Sequence, residues 1–227
     1  MTDLTLSCVC FNEGIRYITL LHNLTSLDLS LGNIYHDEIS RAIRTLSNLV
    51  SLDLSFVEAN DEIVEALMHM TQLTRLILNE SEDYYEDVEV DQFENLKLLN
   101  LRELKTLHAD WNIDQFTELR KLHIIYAADI LQQTKNLPNL ENLLLEQVSL
   151  DREQFVEAVC QLTNLTSLSL NKIFLQNFDA EEPIALYLTR LSNLRILECL
   201  TYPGVIESST RTIQIILIIR QILMFLN

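Results

Sequence analysis

Two leucine-type positions separated by a single residue recur down the whole chain. They are Leu4/Leu6, Leu27/Leu29, Leu52/Leu54, Leu76/Leu78, Leu99/Leu101, Leu122/Ile124, Leu143/Leu145, Leu168/Leu170 and, with one substitution, Leu197/Cys199. The first members lie 21 to 29 residues apart, and from the second pair on a further leucine stands three residues upstream: Leu24, Leu49, Leu73, Leu96, Leu119, Leu140, Leu165 and Leu194. The stretch NLTSLDLS at 23–30 returns as NLTSLSLN at 164–171. A period of about two dozen residues makes each repeat one supersecondary unit. Such a unit is too small to bury its own apolar side without neighbours, so the copies have to stack.

Within a repeat, the leucine pair places both side chains on one face of a short strand and the residue between them on the other. Strands of successive repeats then form a parallel sheet. Between strands lie apolar triplets at i, i+4, i+7: Ile39, Ile43, Leu46; Ile63, Leu67, Met70; Phe155, Val159, Leu162; Ile184, Leu188, Leu191. That spacing predicts amphipathic helices. They begin with acids at Asp37–Glu38, Asp61–Glu62, Asp151 and Glu181–Glu182, where the helix dipole favours negative charge, and Pro183 suits a first turn. Connections across 80–135 are shorter and less helical in pattern. In this middle part, DQFENLKLLNL (91–101) and DQFTELRKLHI (114–124) align without a gap. That alignment predicts a strand at Leu99/Leu101 and treats LRELKTLHA (101–109) as an imitation of the motif.

The L-x-x-L-x-L pattern resembles the leucine-rich repeat family over essentially the full length. The resemblance implies an α/β solenoid: a horseshoe with a parallel concave sheet of nine or ten short strands and helices on the convex side. The family usually has Asn or Cys three residues after the last strand leucine. Here that slot holds Gly32, Val57, Ser81, Leu104, Ala127, Val148, Ile173 and Tyr202. With the helical connections, this departure is most similar to the ribonuclease-inhibitor-like and F-box-associated types. A single domain over 1–227 is expected, with atypical, uncapped ends at 1–20 and 203–227. A last repeat at Ile219, Ile222, Met224 and Asn227 would end it. Solenoid ends normally carry polar caps, so these ends are expected either to be covered by a partner or to continue into a longer gene product.

Composition narrows the partners. The formal charge of −17 repels nucleic acid and anionic membrane and attracts a basic protein segment. No basic region followed by an apolar core opens the chain, and the apolar stretch 213–226 is too short to span a membrane and is broken by Arg220 and Gln221. A cytoplasmic location is expected, with the nucleus as an alternative. Cys8 and Cys10 have no matching second pair for zinc, so free thiols are expected at these positions and at Cys160 and Cys199. In the same compartment the N-x-S/T triplets at Asn23, Asn79 and Asn164 are expected to stay unmodified.

Nothing in the chain matches a phosphate-binding glycine loop, a dinucleotide fingerprint, H-E-x-x-H or a nucleophile elbow. His22, His36, His69, His108 and His123 fall on different repeats. A non-enzymatic chain with no cofactor, metal or small-molecule substrate is the resulting expectation. Recognition is expected on the concave face, from residues beside the strand leucines: Asp28, Asp53, Arg75, Asn100, Arg102, Lys121, His123 and Glu146. Asp28 and Asp53 stack as like charges and invite a cation. Arg75, Arg102, Lys121 and His123 form a basic band, with Lys97 and Arg120 at its margin. The connection NESEDYYEDVEVD (79–91) carries seven acids with Tyr84 and Tyr85 and reads as a solvated loop. The expected function is a protein–protein interaction module. Two alternatives are a substrate-recognition part of an F-box-type ubiquitin ligase, which rests on the resemblance alone, and an inhibitor or chaperone of a basic protein.

Overall fold

The computed structural model of the chain describes residues 1–6, 15–30, 36–57, 60–78, 96–107, 112–176 and 187–200. The chain divides into two compact units, Met1–Leu119 and Arg120–Asn227.

Among the described residues the first unit has five parallel strands in chain order: β1 (Asp3–Thr5), β2 (Ser26–Asp28), β3 (Ser51–Asp53), β4 (Arg75–Leu78) and β5 (Glu103–Thr106). Leu4, Leu27, Leu52, Leu76 and Leu104 share one register row, and the last four are buried. The side chains flanking that row face away from the core. Strands β2 to β5 are entered through the same turn, in which the upstream leucine amide donates three residues back: Leu24 to Leu21, Leu49 to Leu46, Leu73 to Met70 and Leu101 to Leu98. One carbonyl of each coil then accepts two amides of the next, as Val50 O does from Thr74 N and Arg75 N. These shared carbonyls tie coil to coil at the strand entrances, where the sheet pairing has not yet begun.

Behind the strands lie a 3-10 segment (Ile15–Leu20), α1 (His36–Thr45) and α2 (Asp61–Leu67). The stripes Ile39, Ile43, Leu46 and Ile63, Leu67, Met70 are buried, as their spacing predicts. Asn60 caps α2 by accepting from the Ile63 amide at 3.1 Å.

The middle repeat departs from the sequence reading. Its strand is Glu103–Thr106, with Leu104 opposite Leu76, and not Leu99/Leu101. The observed register buries Leu98, Leu101 and Leu104 and leaves Leu99 62% exposed. It exposes one leucine, but it lets Glu103 stand opposite Arg75 and lets the Asn100 amide donate to Thr71 O at 2.8 Å. Leu104 is therefore a core strand residue rather than the occupant of the family's polar slot.

Among the described residues the second unit has four parallel strands with β6 (Lys121–Ile125), β7 (Asn142–Glu146), β9 (Ser167–Asn171) and β11 (Ile196–Leu200) as successive neighbours. Two short strands, β8 (Ser149–Asp151) and β10 (Phe174–Gln176), form a separate parallel pair. Their sequence carries no leucine pair, and they were not anticipated. Asp151 and Gln154 form a reciprocal capping box at the start of α3 (Arg152–Gln154), which runs on as a π-helical turn over Phe155–Val159. Phe155, Val159 and Leu162 are buried, as are Leu188 and Leu191 of the fourth stripe. The weakly helical connections appear as 3-10 segments, Ile113–Gln115 in the first unit and Asp129–Asn136 in the second. Cys8, Cys10, Asn79, Ser81, the acidic stretch 79–91, His108, Pro183, Ile184, Tyr202 and the repeat proposed at 219–227 lie outside the described residues.

Candidate functional site

The open face of the strands in each unit is built from the residues on either side of the buried leucine row. In the first unit one row reads Asp3, Ser26, Ser51, Arg75, Glu103 and the other Thr5, Asp28, Asp53, Ile77, Lys105. Asp28 and Asp53 are register partners on adjacent strands, which sit about 4.8 Å apart. Each uses one oxygen to close its own turn: Asp28 Oδ1 accepts from the Ser30 amide, and Asp53 Oδ1 from the Ser55 amide and hydroxyl. No hydrogen bond among the described residues engages either Oδ2. Two negatively charged oxygens thus remain on neighbouring coils.

Arg75 belongs to the same face but is compensated. Its Nε donates to Glu103 Oε1 at 3.0 Å and its guanidinium also reaches Ser51 Oγ at 3.4 Å. Asn100 and Arg102 do not lie on the sheet face. They stand in the turn before β5, where the Asn100 amide ties back to the preceding coil and Arg102 N donates to Thr74 O. The register shift moves both off the face and puts Glu103 and Lys105 there instead. The predicted basic band is therefore not assembled in this unit.

Lys121, His123 and Glu146 lie on the open face of the second unit. His123 Nε2 lies 3.0 Å from Glu146 Oε2, and Asn171 Nδ2 donates to Glu146 Oε1 at 2.8 Å. Three consecutive strands of the unit are thereby linked through one carboxylate, with Leu144 and Ser169 between them on the same surface. Asn171 was not singled out in the sequence, because a neutral residue at the end of a strand carries no charge signal. Arg120 sits at the strand entrance and pairs with Glu141 at 2.5 Å.

Among the described residues no group of three or more His, Cys, Asp or Glu is placed to hold a metal ion. No helix among them is long and apolar enough to cross a membrane. Burial pushes the Cys160 thiol up to about 12, against an opposing pull from Arg190, so this sulfur is a protonated core atom and not a nucleophile.

Solved structures share this fold. The chain matches an internalin C2 from Listeria monocytogenes with a TM-score of 0.56 and 23% sequence identity, over 87% of this chain and 80% of that one. The fold is that of a leucine-rich repeat protein. The functional domain of InlJ from the same organism, described as including a cysteine ladder, matches with a TM-score of 0.54 and 17% identity. The match covers 93% of this chain and 42% of InlJ. No protein-family model matches the chain, and no curated protein sequence matches it. These leucine-rich repeats thus share an architecture with the internalins at identities that carry the fold alone.

Proposed function

We propose that this leucine-rich repeat chain is a non-enzymatic protein-interaction module of the cytoplasm or nucleus, and that the open face of its sheet receives a basic segment of another protein. The observation that carries the reading is the register pairing of Asp28 with Asp53, each with an unengaged Oδ2. Like charges held one strand apart are unfavourable until a cation bridges them, so a lysine or arginine gains there what the empty face lacks. The net charge of −17 adds long-range attraction for the same partner. On the second unit, the linked His123, Glu146 and Asn171 offer a pre-positioned polar surface beside Lys121. Helices α1 and α2 behind the strands support the ribonuclease-inhibitor-like type of repeat over the extracellular type.

The test is an affinity capture from lysate with wild type and with Asp28→Asn/Asp53→Asn, washed at increasing salt. A protein retained by wild type, released by moderate salt and absent with the variant is the expected result. Identical proteins on both supports would sink the reading. The variant is expected to fold at least as well as wild type, because the substitution removes a like-charge contact, and a thermal melt checks this.

A further inference from the structure

Away from the sheet face, the second unit has a groove of about 330 Å³ along the strand entrances, lined by Asn139, Glu141, Asn164, Thr166, Asn193 and Arg195 together with Pro138. These residues are equivalent positions of three successive repeats. One ridge is the row Asn139, Asn164, Asn193, which precedes the repeat leucines Leu140, Leu165 and Leu194; the other is the row Glu141, Thr166, Arg195, which follows them.

The hydrogen bonds fix which atoms this groove presents. Asn164 Nδ2 donates to Pro138 O at 2.7 Å and Asn193 Nδ2 donates to Thr163 O at 2.8 Å. A carbonyl can only accept, so the nitrogen end of each amide faces the preceding coil and Oδ1 is the end left over. No hydrogen bond among the described residues uses either Oδ1. At one end, Glu141 is neutralised by Arg120. Exposed Arg195 at the other end makes no ion pair among the described residues. The groove therefore presents two amide oxygens as acceptors and one guanidinium as a donor.

We infer that this groove binds an extended peptide segment bearing an acidic side chain, with its carboxylate on Arg195 and its main-chain N–H groups on the Asn164 and Asn193 amide oxygens. Arginine suits the role because its planar fork can take both carboxylate oxygens at once. An extended segment suits it because its main-chain N–H groups are unpaired along one edge, and the two acceptors stand on neighbouring coils. The chain's overall negative charge opposes the approach of an acid. At 0.15 M salt, however, the Debye length is about 8 Å, so distant acids are screened while a contact with Arg195 is not. The groove belongs to the second unit, whereas Asp28 and Asp53 belong to the first.

The experiment is a titration of the ¹⁵N-labelled full chain at 0.15 M salt with the acetylated, amidated pentapeptide Gly-Ser-Glu-Ser-Gly, beside the same peptide with Gln or Lys at its centre. The readouts are the side-chain amide signals of Asn164 and Asn193 and the Arg195 Nε signal. The Glu peptide is expected to shift all three saturably, and the Gln and Lys peptides to bind at least tenfold more weakly. Arg195→Glu, an exposed substitution, is expected to abolish the response to the Glu peptide, whereas Arg195→Lys retains part of it. Equal responses to Glu and Gln, shifts confined to other residues, or an unchanged response in Arg195→Glu would each overturn the inference.

Discussion

Arg75 and Glu103 stand opposite each other on β4 and β5, with Nε 3.0 Å from Oε1. Both side chains are partly solvated, 40% and 34% exposed, so the pair contributes about 0.2–1 kcal/mol and no more. Its value is as a register marker. A double-mutant cycle on Arg75→Ala and Glu103→Ala, read by denaturant unfolding, is expected to give a coupling energy within that range, and the swapped pair Arg75→Glu/Glu103→Arg to restore it. A coupling of zero would favour a strand at Leu99/Leu101, where Glu103 lies beyond the sheet.

Truncating leucines tests the same register with larger effects. Leu104 is buried in the strand row and Leu99 projects into solvent. Leu104→Ala is expected to cost about 2–5 kcal/mol and Leu99→Ala less than about 0.5 kcal/mol. Asn100→Ala adds a finer check: losing the donation to Thr71 O is expected to cost about 0.5–1.5 kcal/mol, where a sheet-face asparagine would cost nothing. Urea midpoints of the three variants measure all of this.

Most of the architecture was legible because leucine spacing encodes it twice, once in the strand pair and once in the helical stripe. Leu27, Leu52 and Leu76 and the stripe Ile39, Ile43, Leu46 occupy the places their spacing assigns. The middle failed because LKLLNLRELKTL offers several leucines at motif spacing, and a gapless alignment to the next repeat chose among them wrongly. The asparagine before the upstream leucine could not decide between them, because Asn95 precedes Leu96 just as Asn100 precedes Leu101. Asn48, Asn164 and Asn193 hold that position and donate to the preceding coil, and Asn100 does the same. On the face itself, Asp28 and Asp53 were readable from register alone, whereas the partners Glu103 and Asn171 depended on which residues the coils bring opposite one another. Strands β8 and β10 pair through main-chain groups and left no side-chain pattern to read.

Phe56, Tyr126, Gln147 and Lys172 all adopt positive φ, at 64°, 60°, 54° and 52°. Each lies four residues after the first strand leucine of its repeat, so the strained conformation belongs to the turn leaving the strand and not to any one side chain. An L-residue with a Cβ costs roughly 1–2 kcal/mol in this region, and glycine costs nothing sterically. Phe56 is 46% exposed, so little burial is lost when its ring is removed. Phe56→Gly is therefore expected to be neutral or to stabilise by up to about 1 kcal/mol, and Phe56→Val, β-branched, to destabilise. A melting temperature that falls with glycine would show that the ring contributes more packing than its exposure indicates.

Cys160 gives the pH dependence a sign. Its thiol is 2% exposed and burial pushes it up to about 12, against about 8.5 for an unfolded thiol. Between those values the folded chain keeps the proton and the unfolded chain loses it, so the unfolded state binds fewer protons and stability falls as pH rises. Below about pH 8.5 both states are protonated and the thiol contributes no slope. Above it, wild type is expected to lose stability more steeply than Cys160→Ala, by at most about 1.4 kcal/mol per pH unit. Lysines and tyrosines titrate in the same window in both proteins, so the difference between the two profiles isolates the thiol. The measurement is urea unfolding of each from pH 7 to 11, and parallel profiles would mean that the buried sulfur already finds water in the native state.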